Sequence, residues 1–368
     1  MNDVEPQLWV SAIKQNKNKV FSLGLASALL VLSTPSHGEP LRLLNWDDYL
    51  SAHVVEQWQQ RGHTLETVLF DNDSKRDEIL LKSKAQSIDL AVVDETVAAL
   101  FGEQGRLLAL TTDNLPSLAN IEPFWRERCG KYAAPYFWGT LGLAYRTDKL
   151  AKAPDSWLDI LEPAPELRGH IGMMNDYTDM LAPGLFSAGF SLNTESQSEL
   201  KTVFTQLQRQ APHVLTYTYP ISFLTNNPRA EDLHMAVVYG GDQSSMNQIA
   251  GVPGRWRYVV PKEGTVLWVD CMAIPASSER KGQALAFLNF INSPEIAARN
   301  AQDIEIATPN VKARAHLSDA LKSNTEIYPA KAVIERSELY SPLSRENIKL
   351  RLRITNAVVN THESSKTH

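Results

Sequence analysis

From Leu41 onward the chain repeats one unit, a short apolar strand followed by a helix, and that rhythm restricts it to an open α/β sheet with helices on its faces. Leu41-Arg42-Leu43-Leu44 reads as a strand, Ala52–Arg61 as a helix, Thr64–Leu69 as a strand and Asp77–Ala85 as an amphipathic helix. Asp89-Leu90-Ala91-Val92-Val93 suits a buried parallel strand, with Glu95–Glu103 the helix after it. Asp89 heads that strand and takes a structural role. A new unit begins near Tyr145. The pattern predicts strands over Gly169–Met174, Leu233–Tyr239, Arg257–Pro261 and Val266–Ile274, and helices over Glu199–Arg209, Gln243–Ala250 and Lys281–Ile291. In such sheets ligand-binding groups gather at the carboxyl ends of the strands.

The chain has 368 residues, enough for about two domains. No flexible linker separates them, so the expectation is two lobes joined by strands that cross more than once. Charged residues are 21% and hydrophobic ones 43%, which excludes disorder as the main state. A net charge of −6 leaves no basic face to neutralise phosphates, so nucleic acid is not an expected partner. Cys129 and Cys271 are the only cysteines, which rules out a CxxC metal knuckle and leaves open one long-range disulfide. Gly-x-Ser-x-Gly, Gly-x-Gly-x-x-Gly and His-Glu-x-x-His motifs are all missing. The nine histidines show no metal spacing, and His170, His213 and His234 read as isolated. Neither a cofactor nor a metal is therefore expected. An enzyme acting on amines through paired acids is the alternative these acids leave open.

The N-terminus reads as a secretory signal. Lys14, Lys17 and Lys19 precede the apolar run Val20–Leu32, and Ser36-His37-Gly38 offers small residues at the cleavage positions. At about 13 residues the run is short of the ~20 needed to span hydrocarbon. Cleavage after Gly38, with export to a bacterial periplasm, is the expectation. The tail from Ser318 to His368 is helical in pattern, with roughly the last eight residues expected to be disordered.

Five places put aromatics or carboxylates where strands should end: Asn45-Trp46-Asp47-Asp48-Tyr49, Asp94-Glu95, Asn175-Asp176-Tyr177-Thr178-Asp179, Tyr239-Gly240-Gly241-Asp242 and Leu267-Trp268-Val269-Asp270. Taken singly, each has a plainer reading. Asp47 or Asp48 can cap a helix, Trp46 or Trp268 can be core, and Asp176 and Asp179 can bias a helical first turn. Together in one crevice they form a different object. Converging carboxylates raise one another's pKa until a cation arrives, and aromatic faces cover its methylenes while attracting its charge. A small polycation suits such a crevice.

These residues resemble the periplasmic polyamine-binding proteins, the spermidine- and putrescine-binding components of polyamine ABC importers. The resemblance runs from about Leu41 to Leu317. Its most specific pieces are Asn-Trp-Asp-Asp-Tyr at 45–49, Pro-Tyr-Phe-Trp-Gly-Thr at 135–140, Val-Pro-Lys-Glu-Gly at 260–264, Leu-Trp-Val-Asp-Cys-Met-Ala-Ile-Pro at 267–275 and Ala-Thr-Pro-Asn at 307–310. It implies the two-lobed α/β periplasmic binding fold of the second type, closing at a hinge around its ligand. The lobes are then 39–143 with 272–310, and 144–271 with 311–368. It also implies the roles of single residues. Trp46 and Tyr49 match the family's first aromatic pair, with Asp47 where Ser or Thr is usual. Asp176 and Asp179 match its acidic pair, Tyr239 sits where Trp is common, and Asp242 matches an acid of the putrescine-binding branch. Trp268 and Asp270 match the Trp-x-Asp that grips an amine. Asp94 stands in place of Ser, adding negative charge that favours a triamine or longer ligand. Thr96 and Ile306 replace tyrosines of many spermidine binders, so part of the aromatic box is missing.

The cysteine placement and the Tyr239-Gly-Gly-Asp242 run resemble the norspermidine-sensor branch, which signals to a membrane cyclic-di-GMP enzyme and so to biofilm formation. The implied partners are thus a polyamine and either a membrane permease or such a signalling protein, with the binding protein a monomer. In this fold the strands near Cys129 and Cys271 run close together at the hinge, which implies a disulfide; two buried thiols are the other outcome.

Overall fold

Among the described residues ten strands carry the architecture: β1 Leu41–Asn45, β2 Leu65–Leu69, β3 Leu90–Asp94, β4 Ala133–Arg146, β5 Ile171–Gly172, β6 Val214–Thr216, β7 Met235–Tyr239, β8 Trp256–Val259, β9 Val266–Ala273 and β10 Glu338–Leu339. The computed structural model describes residues 39–70, 73–82 and 88–366, so the expected signal segment at 1–38 lies outside it. The strands run in the order β2-β1-β3-β9-β4-β7-β5-β6, with β10 beside β9 and β8 beside β4. β1 is parallel to β2 and β3, and β5 is parallel to β6 and β7, as the strand–helix rhythm requires. β9 runs antiparallel to β3 and to β4.

β4 is the strand that joins the two halves. Its first part, through Trp138, packs into a core with β1, β3 and β9, while Leu141 and Leu143 belong to a second core with Met235 and Val237. β9 makes the same crossing, with Val266 in the second core and Leu267, Val269 and Cys271 in the first. The expected double crossing is present. A smaller cluster of Ala236, Val238, Met246, Trp256 and Tyr258 fills the other face of β7.

Two expectations need correction. The expectation that residues 311–368 belong to the second lobe holds only in part: Ala313, Leu317, Leu321, Ile327 and Leu339 pack in the first core, whereas Tyr340, Leu350, Ile354, Val358 and Val359 pack on the second. The cause is local tethering: Val311 N donates to Asn120 O at 3.0 Å and Tyr328 Oη accepts from Thr308 N at 3.2 Å. The tail is also more ordered than its polar sequence suggests. The helix Arg345–Lys366 keeps His362 buried against Ala211 O, with Nδ1 at 3.1 Å.

Cys129, at the end of the helix Pro123–Cys129, is bonded to Cys271 on β9, with Cα atoms 5.8 Å apart. Asp89 has the structural role expected of it: fully buried, it accepts from Arg42 N, Ser278 Oγ and Arg280 Nη1 at 3.0, 2.7 and 3.0 Å. Among the described residues no helix is long and apolar enough to cross a membrane.

Candidate functional site

β1 ends at Asn45, and the turn after it sets the first group of side chains. Trp46 lies against Phe70, with ring centroids 4.3 Å apart. Asp47 is exposed and its Oδ1 accepts from the Asp48 amide at 3.1 Å, so it shapes the turn. Asp48 takes φ 51°, a left-handed conformation that Asp tolerates better than most residues. That reversal returns Tyr49 to the sheet, edge-on to Tyr136 and Phe137, where its hydroxyl donates to Asp270 Oδ2 at 2.7 Å.

Asp270 sits on β9 opposite Asp94 at the end of β3. The two acids have different environments. Asp94 caps the helix Glu95–Glu103 through Val97 N at 2.8 Å and pairs with the buried Arg76 Nη2 at 2.8 Å. Burial pushes its carboxyl up, but Arg76, Thr96 and the Val97 amide outweigh that and hold it below the usual carboxylate range. Asp94 does add a carboxylate where the resemblance implies one, but it is paired with Arg76, which Asp77 shares, and so offers less charge to a ligand. Glu95, one residue on, takes that position instead. Burial, followed by the charges of Asp94 and Asp270, pushes it up to about 7.

The second half contributes a ring of phenols around two acids. Asp176 Oδ1 accepts from Thr178 N, Thr178 Oγ1 and Asp179 N at 2.8, 2.7 and 2.6 Å, closing a tight turn that sets Asp179 in place. Asp179 is buried and accepts hydrogen bonds from the hydroxyls of Tyr239 and, at 2.5 Å, Tyr340. Asp242 accepts from Tyr219 Oη at 2.6 Å and Tyr239 N at 2.9 Å, a return made possible by Gly241 at φ 112°. Burial and then the Asp176 charge push Asp179 up to about 7; burial pushes Asp242 up to about 6. Burial and these acids raise Tyr219, Tyr239 and Tyr340 in turn.

The halves meet at Trp268. Its ring stands edge-on to Tyr239, with centroids 6.2 Å apart and planes at 81°, and its Nε1 is buried without a hydrogen-bond partner. Across the ladder Gly139 leaves room for the indole, since a Cβ there would lie 2.3 Å from Cζ2. Asp242 also contributes to the raised pKa of Tyr49, which ties the acid of one half to the phenol of the other. Tyr49, Asp179, Tyr239, Asp242, Trp268 and Asp270 thus share one crevice. Asp176 borders it through Tyr239, whereas Trp46 packs on Phe70 and the first core.

Chemically the crevice is acidic and aromatic. Neither Asp179 nor Asp242 has a Lys or Arg ion pair among the described residues, so their half-suppressed charge awaits a cation from outside. A cavity of about 390 Å³ lined by Leu110, Pro123, Arg126, Glu127 and Lys131 lies elsewhere on the first half; with two cations against one acid, it does not suit a polycation.

Tyr219, just before the helix Pro220–Asn226, and Tyr340, beyond β10, gave no sequence signal, because only the fold brings them to Asp242 and Asp179. Glu95 did have one, standing beside Asp94 after an apolar strand. His170 and His234 are corrected from isolated to stacked, rings 4.1 Å apart at 6°, because they precede the adjacent strands β5 and β7.

Residues 59–330 match the family of bacterial extracellular solute-binding proteins. The chain is 37% identical to a norspermidine sensor of Vibrio cholerae, over 92% of this chain and 94% of that one. It is 26% identical to the spermidine/putrescine-binding periplasmic protein of Escherichia coli, over 85% and 90% of the two chains. In fold it is similar to the spermidine/putrescine ABC transporter substrate-binding protein of Streptococcus pneumoniae, with a TM-score of 0.79 at 24% identity over 88% of this chain and 99% of that one. The two-lobed α/β fold implied by the sequence is the fold found.

Proposed function

Because the chain belongs to the bacterial extracellular solute-binding proteins, we propose that it captures a protonated polyamine between its lobes, in the periplasm, after removal of a signal peptide at 1–38. The observation that carries this reading is the pair of phenol-bonded carboxylates, buried Asp179 and half-buried Asp242, gathered with Tyr239 and Trp268 in one crevice. An alkyl polyamine complements each part. Its ammoniums meet carboxylates in charge-assisted hydrogen bonds, and its methylenes lie along Tyr239 and Trp268. Asp270 with Glu95 serves one end and Asp179 with Asp242 the other, leaving Tyr49, Trp46 and Asp176 as the rim. Acids at both ends suit a flexible amine with an ammonium at each terminus, of the spermidine, norspermidine or putrescine type. No step of covalent chemistry is involved; closure is a population shift toward the state that binds the ligand more tightly. The dividing line between lobes falls within β4 and β9.

The membrane partner is the second half of the proposal. Identity of 37% over 92% of the chain to a norspermidine sensor, against 26% over 85% to an importer component, favours a signalling partner over a permease. Titration calorimetry of the mature protein with spermidine, norspermidine and putrescine tests the ligand. Submillimolar binding of at least one is expected, and failure of all three would sink the reading. Deleting the gene tests the partner: altered biofilm with unchanged uptake of labelled polyamine fits a sensor, whereas lost uptake fits an importer.

A further inference from the structure

The helix Asp242–Ala250 begins inside the crevice, and its next two residues leave it. Gln243 is buried and its Nε2 donates to Glu326 Oε2 at 3.2 Å; Ser244 Oγ donates to Glu305 Oε2 at 2.6 Å. Glu326 also accepts from Arg257 Nε on β8. The donors and acceptors lie on opposite sides of the molecule's division. Ile306, Ala307 and Ile327, flanking the two glutamates, belong to the first core, whereas Met246, Trp256 and Tyr258, flanking the donors, belong to the cluster on β7. Between them the seam is nearly filled: the cavity bounded by Trp138, Gly139, Gly240, Glu305 and Glu326 is about 10 Å³.

Glu305 carries a second mark. It ends the helix Pro294–Ile304 at φ 57°, one of two non-glycine residues with positive φ among the described residues. Glycine is the usual occupant of such a position, and a bulkier residue is strained there unless its surroundings compensate. The compensation visible here is the hydroxyl of Ser244, from the other side of the seam.

We propose that Glu305 and Glu326 are positioning residues of a latch, engaged by Ser244, Gln243 and Arg257, that holds the two lobes closed over the ligand. This rests on the lobe-capture reading above. Because Asp242 grips the ligand in the same helical turn that carries the latch donors, an ammonium that draws Asp242 into place also brings Gln243 and Ser244 to their acceptors. The latch makes no contact with the ligand and adds to affinity by stabilising the closed state, so its effect falls on release and not on capture.

The test measures spermidine binding by calorimetry and stopped flow in the mature protein carrying Glu305→Gly, Ser244→Ala, both together, or Glu326→Gln. Glu305→Gly and Ser244→Ala should each weaken binding about fivefold, the scale of one exposed hydrogen bond, and the double variant no further, because they break one contact. Glu326→Gln should weaken it ~10-fold or more, since Glu326 accepts a buried bond and a guanidinium. The losses should lie in the dissociation rate. The ligand-free Glu305→Gly protein should melt at or above the wild-type temperature, because glycine relieves the left-handed strain. Wild-type affinity in Ser244→Ala and Glu326→Gln overturns the latch, as does a Glu305→Gly protein that melts lower and binds additively worse with Ser244→Ala. If the wild-type protein binds spermidine in either case, the proposed function survives the loss of the latch.

Discussion

Asp94 and Asp270 face each other across β3 and β9, and their surroundings give them different tasks. Asp94 is bound by Arg76 and caps a helix, whereas Asp270 takes the hydroxyl of Tyr49 at the crevice. Asp270→Asn and Trp268→Ala should therefore each weaken spermidine binding by at least ~1.5 kcal/mol, because each removes a partner from a desolvated ammonium. Asp94→Asn should change affinity less than about threefold, yet lower the melting temperature, since buried Arg76 loses one of its carboxylate partners and keeps Asp77. Calorimetry and thermal unfolding of the three variants separate these outcomes; an Asp270→Asn protein that binds like the wild type would remove the site from this crevice. The Trp-x-Asp motif pointed to Trp268 and Asp270 through the family resemblance that it carries. It could not separate Asp94 from Asp270, since the distinction depends on Arg76, whose approach is set by packing of a different helix.

At the scale of elements, β4 and β9 form both the frame of the site and the passage between lobes. Gly139 shows how closely they are fitted, because a methyl group there would lie 2.3 Å from the Trp268 ring. Gly139→Ala should displace the indole and weaken binding about tenfold while leaving most of the fold intact, to be read by calorimetry and by tryptophan fluorescence. Gly142→Ala would instead meet Val259 O at 2.5 Å, so its cost should appear in thermal unfolding. The disulfide fastens the helix Pro123–Cys129 to β9 just beyond Asp270. Replacing Cys129 and Cys271 by Ala should cost about 2–5 kcal/mol of stability, measured by denaturant unfolding, with affinity changed much less. The short strands and amphipathic helices could be read from apolar spacing alone, including Glu95–Glu103 and Lys281–Ile291. β4 could not be read as one strand of 14 residues, because Pro135 and the glycines Gly139 and Gly142 interrupt the pattern where the chain passes from one core to the other. The expected strand Gly169–Met174 shrinks to Ile171–Gly172, the residues in register with both β6 and β7, although Met173 N still donates to Thr216 O at 3.0 Å.

For the whole molecule, the proposed capture of a polyamine should be coupled to protons. In the ligand-free protein Asp179 and Glu95 are raised to about 7 and Asp242 to about 6, so near neutral pH the crevice holds protons that an unfolded chain would have released. A polyamine ammonium resembles a lysine side chain, with a pKa near ~10, and stays charged throughout this range. Binding favours the ionised carboxylates and therefore expels their protons. Affinity should rise as pH increases from about 5 to 8, by up to ~10-fold per pH unit for each group still protonated, and level off above the raised values. The same groups fix the sign of the stability effect. Their folded-state values exceed the unfolded ones, so the stability they lend the ligand-free protein is complete below about 4 and lost as pH climbs through 6 to 7. His234, lowered to about 4 chiefly by burial, acts in the opposite sense across part of that window, so the ligand-free melting curve mixes both. The rise in melting temperature on adding spermidine isolates the crevice. It should be larger at pH 8 than at pH 5.5, and calorimetry in two buffers of different ionisation heat should register proton release near pH 6.5. Asp179→Asn should flatten both trends, and a polyamine affinity independent of pH across this range would mean that these carboxylates do not meet the ligand.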